Sequence, residues 1–347
     1  MKTTILKVFL CLLIAWIGCS EPLSESLVST EGQLPNTWTN ITPDTTSKYS
    51  CVYFISKDEG WIGGQTRYVG GDTGEGNRAA VYHTIDGGST WSKAVILTET
   101  NLFGICFFDK LNGISIRRNV FKSGNGGTSW NEVLKLGGPI VRDIDFTDAS
   151  TGWASASSLS TGGMVMRSID GGNTWEIIEA SIRKENDDGI FSSISVPSLS
   201  VIYAAGTVAT YCGILVKSSD GGVTWEDVYS SWGTRFWSVH FVNDSLGWVG
   251  GEYRTIYRTC DGGSSWILQD TPQSSDAIVD IHSIDQYKAI AVTSAGAVLA
   301  TDNGGESWEE QVPSDDQNTL IRVFFHSSGN AWAVGSRIVL KGCYIHP

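Results

Sequence analysis

The chain has 347 residues, of which 40 are glycine and 14 are tryptophan, and only 18% are charged. This composition is typical of many short strands joined by tight turns and excludes a mainly helical enzyme. The formal net charge of −13 argues against nucleic-acid phosphates or anionic lipid headgroups as the main binding partners.

The N-terminal segment predicts export. Lys2 and Lys7 give it a positive charge, and the apolar run at residues 5–17 is too short to span a bilayer as a helix of the mature protein. The run ends in Trp-Ile-Gly-Cys, which resembles the lipobox of bacterial lipoproteins, although Trp16 stands where leucine is usual.

We therefore expect residues 1–19 to be a lipoprotein signal peptide with Cys19 as the acylated residue. An ordinary signal peptide cut nearby is the alternative. Because Ser20 follows the cysteine in place of the aspartate that marks inner-membrane retention, the outer membrane is the expected location in a Gram-negative cell. Residues 20–35 are expected to be a tether, and a lipid anchor would hold the domain at the membrane without a transmembrane helix.

An eight-residue motif, first seen as Thr-Ile-Asp-Gly-Gly-Ser-Thr-Trp at residues 84–91, occurs six times, and its tryptophans lie 39 to 50 residues apart. Paired glycines supply positive φ, and the Asp or Asn side chain can accept hydrogen bonds from nearby backbone N–H groups, as in a β-hairpin turn. One carboxylate per copy is too few for a calcium site. The motif, an Asp-box, therefore predicts a structural role for Asp86, Asn125, Asp170, Asp220, Asp261 and Asn303.

A second repeat lies between the Asp-boxes. An apolar residue is followed two positions later by a second one, usually Phe, and then after seven residues by Trp or another apolar residue, as in Val52, Phe54 and Trp61. This alternation is typical of strands. The first apolar residues of the seven copies are Val52, Ile105, Ile144, Ile194, Val239, Ile281 and Val323.

Seven strand repeats but six complete Asp-boxes are explained if the chain closes into a ring. The last unit stops after residues 339–341, and the first strand, residues 36–41, looks like the segment that normally follows an Asp-box. A repeat of about 42 residues gives four short strands, the size of a propeller blade. The sequence predicts an all-β, seven-bladed β-propeller over residues 36–347, with its N-terminal strand closing the last blade. A row of independent modules is disfavoured because so short a unit could not bury its faces alone.

With both repeats in hand, the chain resembles the photosystem II stability and assembly factor family of seven-bladed propellers. That family repeats a Gly-Trp strand, a short hairpin and an Asp-Gly-Gly-x-Thr-Trp turn, as at Gly60-Trp61 here. The resemblance implies a protein-binding or assembly scaffold. Photosynthetic members use a basic patch to hold a photosystem precursor, from which the strong acidity of this chain departs. Asp-boxes also occur in sialidases, xyloglucan-degrading hydrolases and sortilin-type receptors.

Binding is expected on the mouth face, which we define as the end of the propeller opposite the Asp-box turns. It is built from the loops that enter each innermost strand and from the hairpins after each Gly-Trp strand, and such loops usually carry function. The candidate partner-binding residues are Arg67, Tyr68, Arg117, Arg118, Trp232, Arg235, Tyr253 and Arg254.

A glycan-binding protein or glycoside hydrolase is the competing hypothesis, because two carboxylates across a sugar would suffice for hydrolysis. Candidate carboxylates on the mouth face are Asp72, Glu75, Asp187, Asp188 and Glu252. The Arg-Ile-Pro signature of sialidases is absent from the sequence. His240 and His282 occupy matching positions of adjacent innermost strands, where packing between blades is favoured over metal binding.

No nucleotide, phosphate-loop or nucleophile-elbow motif occurs, so we expect neither cofactor nor metal. Five cysteines follow Cys19 without zinc-site spacing, and their connectivity is open. The sequence as a whole predicts an exported, membrane-anchored, monomeric propeller. Its expected partner is a protein, such as another envelope protein, or a glycan, and it is expected to have no catalytic residues.

Overall fold

The computed structural model describes residues 33–68, 76–96, 101–158, 162–178, 189–208, 212–314 and 318–344. Over these ranges the chain forms seven sheets, each of four antiparallel strands. The innermost strands of neighbouring sheets pack against one another all the way around, including the last against the first. The predicted seven-bladed propeller is confirmed. Within the described residues, no helix has the length and apolar character needed to cross a membrane.

The strands of each blade are given from the innermost to the outermost. Blade 1 contains β2 (Lys48–Phe54), β3 (Gly60–Tyr68), β4 (Gly76–Thr84) and β5 (Ser92–Ile96), and blade 2 contains β6 (Gly104–Phe107), β7 (Gly113–Ile116), β8 (Asn119–Ser123) and β9 (Asn131–Lys135). Blade 3 contains β10 (Ile140–Phe146), β11 (Gly152–Ser158), β12 (Gly162–Ser168) and β13 (Glu176–Ile178), and blade 4 contains β14 (Ile190–Ser195), β15 (Ile202–Val208), β16 (Cys212–Ser218) and β17 (Glu226–Trp232). Blade 5 contains β18 (Phe236–Phe241), β19 (Gly247–Gly251), β20 (Ile256–Thr259) and β21 (Ile267–Leu268), and blade 6 contains β22 (Ile278–Ser283), β23 (Ala289–Thr293), β24 (Val298–Thr301) and β25 (Glu309–Val312). Blade 7 contains β26 (Leu320–Phe325), β27 (Ala331–Gly335), β28 (Ile338–Cys343) and β1 (Thr37–Asn40).

Blade 7 joins the two ends of the described chain. Strand β1 pairs with β28 in antiparallel register, with Trp38 opposite Gly342, and the Ile41 N–H donates to the Val339 carbonyl at 2.9 Å. The Trp38 indole N–H also donates to Gln311 Oε1 of blade 6 at 2.8 Å. The closing strand predicted from the sequence is confirmed, and it leaves blade 7 with the same four strands as the others.

The second sequence repeat packs neighbouring blades together. The Trp61 ring of blade 1 stacks on Phe107 of blade 2 with their ring centroids 3.5 Å apart, and Trp332 of blade 7 stacks on Phe54 of blade 1 at the same distance. Gly60 must be glycine because a Cβ there would come within 2.2 Å of the Phe54 ring. The Trp or Tyr of one repeat therefore stacks on the Phe of the next at three of the interfaces between blades, the third pair being Tyr203 and Phe241.

A basic side chain on the third strand covers this aromatic layer in several blades. The cationic groups of Arg167, Lys217 and Arg258 lie 5.3 to 5.5 Å from the ring centroids of the aromatic residues opposite them on the second strand. The Lys217 ammonium also donates to the Gly262 carbonyl in the Asp-box turn of the next blade, at 2.9 Å. This cation–π layer within each blade was not predicted from the sequence. The side chains of Lys217 and Arg258 also donate to backbone carbonyls of the next blade.

Candidate functional site

The Asp-box turns use the Asp or Asn side chain to hold the turn closed. In blade 4, Asp220 accepts hydrogen bonds from the Thr224 N–H at 2.9 Å and the Thr224 hydroxyl at 2.6 Å, and the Ser218 hydroxyl accepts from the Gly222 N–H at 2.8 Å. The two bonds from Thr224, led by that of its hydroxyl, lower the pKa of Asp220 to about 2. The bond from the residue four positions on recurs at Asp86, Asn125, Asp170, Asp261 and Asn303.

Each Asp-box turn is also fixed to the loop between the first two strands of its own blade. The Gly171 N–H donates to the Ser150 carbonyl at 2.8 Å, and the Gly221 N–H donates to the Ser200 carbonyl at 2.9 Å. These loops and the Asp-boxes therefore share one face. The strand direction then places the hairpins between the second and third strands, and the loops that enter the innermost strands, on the opposite mouth face.

The bore of the propeller is lined by polar side chains that bond the backbone of the next blade. The Val239 N–H donates to the Ser193 hydroxyl at 3.2 Å, and the Val323 N–H donates to the Asp280 carboxylate at 2.8 Å. An innermost strand has no strand neighbour on the bore side, so its N–H groups there need such acceptors. These polar side chains replace a missing strand partner, which is a structural role.

Arg322 of blade 7 spans the bore to blade 3. Its guanidinium donates to the Arg142 carbonyl at 2.8 Å and lies 3.5 Å from the Asp143 carboxylate. A cavity of about 280 Å³ lies beside the Arg322 side chain and is lined in part by Asp145 and Asp280. Burial raises the pKa of Asp145 to about 7 and that of Asp280 to about 6, against the lowering effect of backbone hydrogen bonds and, for Asp280, of Arg322.

His240 and His282 lie next to each other in the bore, with ring centroids 4.4 Å apart. His240 Nε2 lies 3.0 Å from the Ser283 carbonyl, and His282 Nδ1 accepts from the Phe325 N–H at 3.2 Å, so each ring is tied to the next blade. Burial lowers the pKa of His240 to about 4 and also lowers that of His282. Among the described residues, no group of three His, Cys, Asp or Glu side chains is arranged to hold a metal ion. The arrangement of His240 and His282 therefore favours packing between blades over metal binding.

The mouth of blades 7, 1, 2 and 3 is rich in basic side chains. Its described loops and strand ends carry seven of them, against only Asp44 and Glu132, each of which binds a lysine. Five are exposed and two are half-buried. We call this set the basic sector, and its members are Lys48, Arg67, Arg117, Arg118, Lys135, Arg142 and Arg337.

Arg117 lies among other positive charges of the basic sector. Its guanidinium lies over the Phe103 ring, 4.4 Å from the centroid, and its buried Nε has no hydrogen-bond partner. Burial lowers the pKa of Arg117, and the positive charges of Arg142 and Arg118 lower it further. Backbone bonds from Val141 to the Arg117 carbonyl and from Leu136 to the Arg118 carbonyl fix this hairpin on blade 3. The sector is thus a preformed concentration of positive charge.

Two predicted site residues stand out on the mouth of blades 4 and 5. Trp232 is 81% exposed and Tyr253 is 57% exposed, so neither packs beneath a connecting loop. Arg235 follows Trp232 by three residues and Glu252 directly precedes Tyr253, and the Arg235 guanidinium lies 3.8 Å from the Glu252 carboxylate. Glu252, a candidate catalytic carboxylate, is therefore already bound to an arginine.

Arg254 differs from the expectation that it presents its charge to a partner. Its side chain is almost fully buried, with Nε 2.8 Å from Asp276 and a second bond to Glu310 of blade 6. Its carbonyl accepts from the Thr271 hydroxyl at 2.9 Å. Arg254 therefore ties blade 5 to blade 6, because the loop after β21 supplies Asp276 and strand β25 supplies Glu310. The position of Arg254 in the sequence does not reveal these partners.

Several predicted site residues cannot be placed. Tyr68 lies at the end of β3, and its side chain is outside the described part of the molecule. The candidate carboxylates Asp72, Glu75, Asp187 and Asp188, and the lipidation residue Cys19, also lie outside the described residues. Of the later cysteines, Cys51, Cys106 and Cys343 have free thiols.

Comparison with known proteins decides the family. The family model of the photosynthesis system II assembly factor YCF48 matches residues 125–232 and 203–340, more than half of the chain. The chain belongs to this family. The overlap of the two YCF48 matches agrees with the internal repeat, and the resemblance inferred from the sequence motifs is confirmed.

A curated relative is the photosystem II assembly lipoprotein Ycf48 of Synechococcus sp. (strain CC9902), 31% identical over 88 residues. That match covers 25% of this chain and 26% of the relative, so it spans about a quarter of the relative's length.

Solved structures share the fold. A structure of YCF48 bound to D1 peptide has a TM-score of 0.67 at 19% identity, covering 90% of this chain and 99% of that one. YCF48 from Cyanidioschyzon merolae has a TM-score of 0.66 at 18% identity, covering 88% and 98%. The GH74 xyloglucanase of Xanthomonas campestris is more distant, with a TM-score of 0.57 at 12% identity, covering 87% of this chain and 60% of that one.

Proposed function

We propose that this chain is an exported, membrane-anchored member of the Ycf48 family that binds a protein partner through its mouth face. The observation that carries the proposal is the basic sector, which concentrates seven basic side chains on one part of a protein whose net charge is −13. Such a local concentration of like charge costs self-repulsion, because the charges of Arg142 and Arg118 add to the effect of burial in lowering the pKa of Arg117, and a bound acidic segment would relieve it.

The overall acidity of the chain does not weigh against a basic binding patch, because many of the carboxylates in the described part of the chain lie elsewhere. Both carboxylate oxygens accept hydrogen bonds within the residue's own turn at Asp86, Asp170 and Asp220. Asp143 lies in the bore beside Arg322. A relative in the family is described as bound to D1 peptide, which supports a peptide as the kind of partner. The partner of this chain is expected to present acidic side chains.

Membrane anchoring rests on the lipobox-like motif, and the family relative described as a lipoprotein supports it. We expect Cys19 to be acylated and the protein to reside at the outer membrane if the cell is Gram-negative. Metabolic labelling with a radioactive fatty acid should label the wild type and leave Cys19→Ser unlabelled. Equal labelling of both chains would refute the lipid anchor.

Partner binding is tested by affinity capture of the full-length chain from native membranes, with bound proteins quantified by mass spectrometry. The variant Arg117→Ala/Arg118→Ala should lose the enriched partner, and Arg235→Ala should weaken its recovery. Asp170→Ala, on the opposite face, is the control and should recover it in full. Equal recovery of the partner by the mouth and Asp-box variants would show that the partner does not bind the mouth face.

The hydrolase hypothesis requires two carboxylates that converge beside an open groove. In the described part of the mouth, Glu252, Asp276 and Glu310 are each bound to an arginine. The likeness to a xyloglucanase at 12% identity reflects the shared fold. Release of sugar from a glycan library by the purified protein, abolished by a single carboxylate-to-amide change, would replace protein binding with catalysis as its function.

A further inference from the structure

Trp232 and Tyr253 are held on a rigid frame. The Gly213 N–H donates to the Thr234 carbonyl at 2.8 Å, which fixes the chain just after Trp232. The Glu252 N–H donates to the Arg235 carbonyl at 3.1 Å, which joins that segment to the hairpin carrying Tyr253. The two exposed aromatic side chains are therefore connected through a short, hydrogen-bonded stretch of backbone.

The hairpin that presents Tyr253 is strained. Tyr253 has φ of 57° and Arg254 has φ of 52°, both in the left-handed region that disfavours residues with a Cβ. The Thr255 N–H donates to the Glu252 carbonyl at 3.1 Å and closes the turn. The buried bonds of the Arg254 side chain to Asp276, Glu310 and Ser314 hold this conformation from below. Strain maintained in this way, under an exposed aromatic ring, points to function.

The charge around these rings is opposite to that of the basic sector. On the described mouth of blades 5 and 6, two guanidinium groups, of Arg235 and Arg254, face four carboxylates, a local net charge of −2. The carboxylates belong to Glu252, Asp270, Asp276 and Glu310. Exposed aromatic faces in a negative field attract cations, and Trp is the best of the aromatic residues for this contact.

The same carboxylates are poorly suited to gripping a sugar. Asp276 and Glu310 already accept from the Arg254 guanidinium. Glu252 accepts from the Arg235 backbone N–H and lies 3.8 Å from the Arg235 guanidinium. These three carboxylates therefore supply a negative field rather than free, directional acceptors for hydroxyl groups. Sugar recognition needs several such acceptors beside the stacking ring, whereas a lysine or arginine side chain needs only the ring face and the field.

We propose that Trp232 and Tyr253 form a docking point for a lysine or arginine side chain of the protein partner. This inference rests on the proposed function, because it names the group that the mouth of blades 4 and 5 takes from the same partner whose acidic residues meet the basic sector. The partner segment then carries both signs of charge in a fixed order across the mouth, which gives the complex one orientation.

The test uses random twelve-residue peptides displayed on phage and selected on the full-length protein in detergent. Peptides that bind the wild type are then synthesised, and their affinities are measured for Trp232→Leu and Trp232→Phe. Leucine keeps an apolar side chain without a π face, whereas phenylalanine keeps a π face. The control is Val223→Ala at an Asp-box turn, where the side chain is 79% exposed, close to the 81% of Trp232.

The selected peptides should contain more lysine and arginine than the starting library. Replacing that basic residue by norleucine should weaken binding about tenfold, Trp232→Leu should do the same, and Trp232→Phe should retain most of the affinity. Equal binding by wild type and Trp232→Leu, tight binding of the norleucine peptides, or selected peptides without a basic excess would each overturn the docking point. A glycan array that binds the wild type and not Trp232→Leu would replace it with a sugar site.

The two proposals fail in different ways. If capture of the native partner needs Arg117 and Arg118 while the peptides show no basic preference, the docking point alone is wrong. If basic peptides depend on Trp232 while native capture ignores every mouth variant, the docking point is a real peptide site and the proposed partner function is wrong.

Discussion

At the Asp-box face, turns in six blades repeat one set of hydrogen bonds around Asp or Asn, and their glycines share nearly the same positive φ. At the mouth, the hairpins between the second and third strands differ from blade to blade: blade 2 presents adjacent arginines, whereas blade 5 presents a strained Tyr253 over a buried Arg254. Repetition is what blade packing requires. The side chains that depart from the repeat are therefore the ones available to distinguish a partner.

We expect the mouth face to contribute to stability as strongly as the Asp-box face does, and the substitution Arg254→Met tests this. The change would leave the buried Asp276 carboxylate without its cation and would remove the partner of Glu310, so we expect a loss of about 3–5 kcal/mol in the free energy of unfolding. Urea unfolding followed by tryptophan fluorescence measures it. Arg118→Met, at an exposed position of the same face, is the control and should stay within about 0.5 kcal/mol of the wild type. A loss below 1 kcal/mol for Arg254→Met would mean that the hairpin is only loosely held.

Glycine substitutions compare the two faces directly. Gly222 at an Asp-box has φ of 87° and Gly233 at the mouth has φ of 83°, but a Cβ at Gly222 would lie 2.2 Å from Trp153, whereas none would be met within 4 Å at Gly233. We expect Gly222→Ala to cost about 2–4 kcal/mol from strain plus overpacking, and Gly233→Ala about 1 kcal/mol from strain alone. The same unfolding experiment measures both. Equal losses would show that the packing of the Asp-box against the next blade contributes little.

The bore connects the two faces, and its Asp145 predicts a pH dependence. The folded protein holds the Asp145 proton up to about pH 7, whereas an unfolded aspartate releases it near 3.8, so unfolding releases a proton between these values and stability falls as the pH rises through them. Asp145→Asn should match the wild type at pH 4 and exceed it by about 2–4 kcal/mol at pH 8. Thermal unfolding at both pH values tests this, and a variant less stable at pH 8 would show that the carboxylate charge is well compensated.

A single Asp-box is expected to contribute least. Asp170→Ala removes the acceptor of the Thr174 N–H and hydroxyl but leaves the paired glycines and the backbone bond to Ser150 in place. We expect a loss of about 1 kcal/mol, because the freed donors can reach water. Asp170→Asn should lose less, since Asn125 and Asn303 serve the same turn in other blades. A loss similar to that of Arg254→Met would reverse the ranking of the two faces.

The fold could be predicted because it is repeated: six turns and seven strand signals in constant phase leave little choice of architecture, and the shortage of one turn indicated the closing strand. For the candidate site, the sequence predicted the face of the propeller but not the partners of the individual side chains. The burial of Arg254 depends on acids 22 and 56 residues further along the chain, and the brace at Arg322 crosses 180 residues to blade 3. Such partners carry no periodic signal. The polar residues beside Ile144, Ile281 and Val323 in the innermost strands were a usable sign of the lined bore, and sequence analysis noted only the histidines among them.

The pairing of β1 with β28 also determines the order in which parts of this protein can fold. Its hydrogen bonds join positions as far apart as 306 residues, so the first strand is made early and must wait for the last residues of blade 7 before it has a partner. Contacts of such long range slow folding, and the unpaired edge is exposed to misassembly in the meantime. The proposed export would benefit from this delay, because the ring cannot close before the C-terminal strand has been synthesised, and an unclosed chain can still be passed across a membrane.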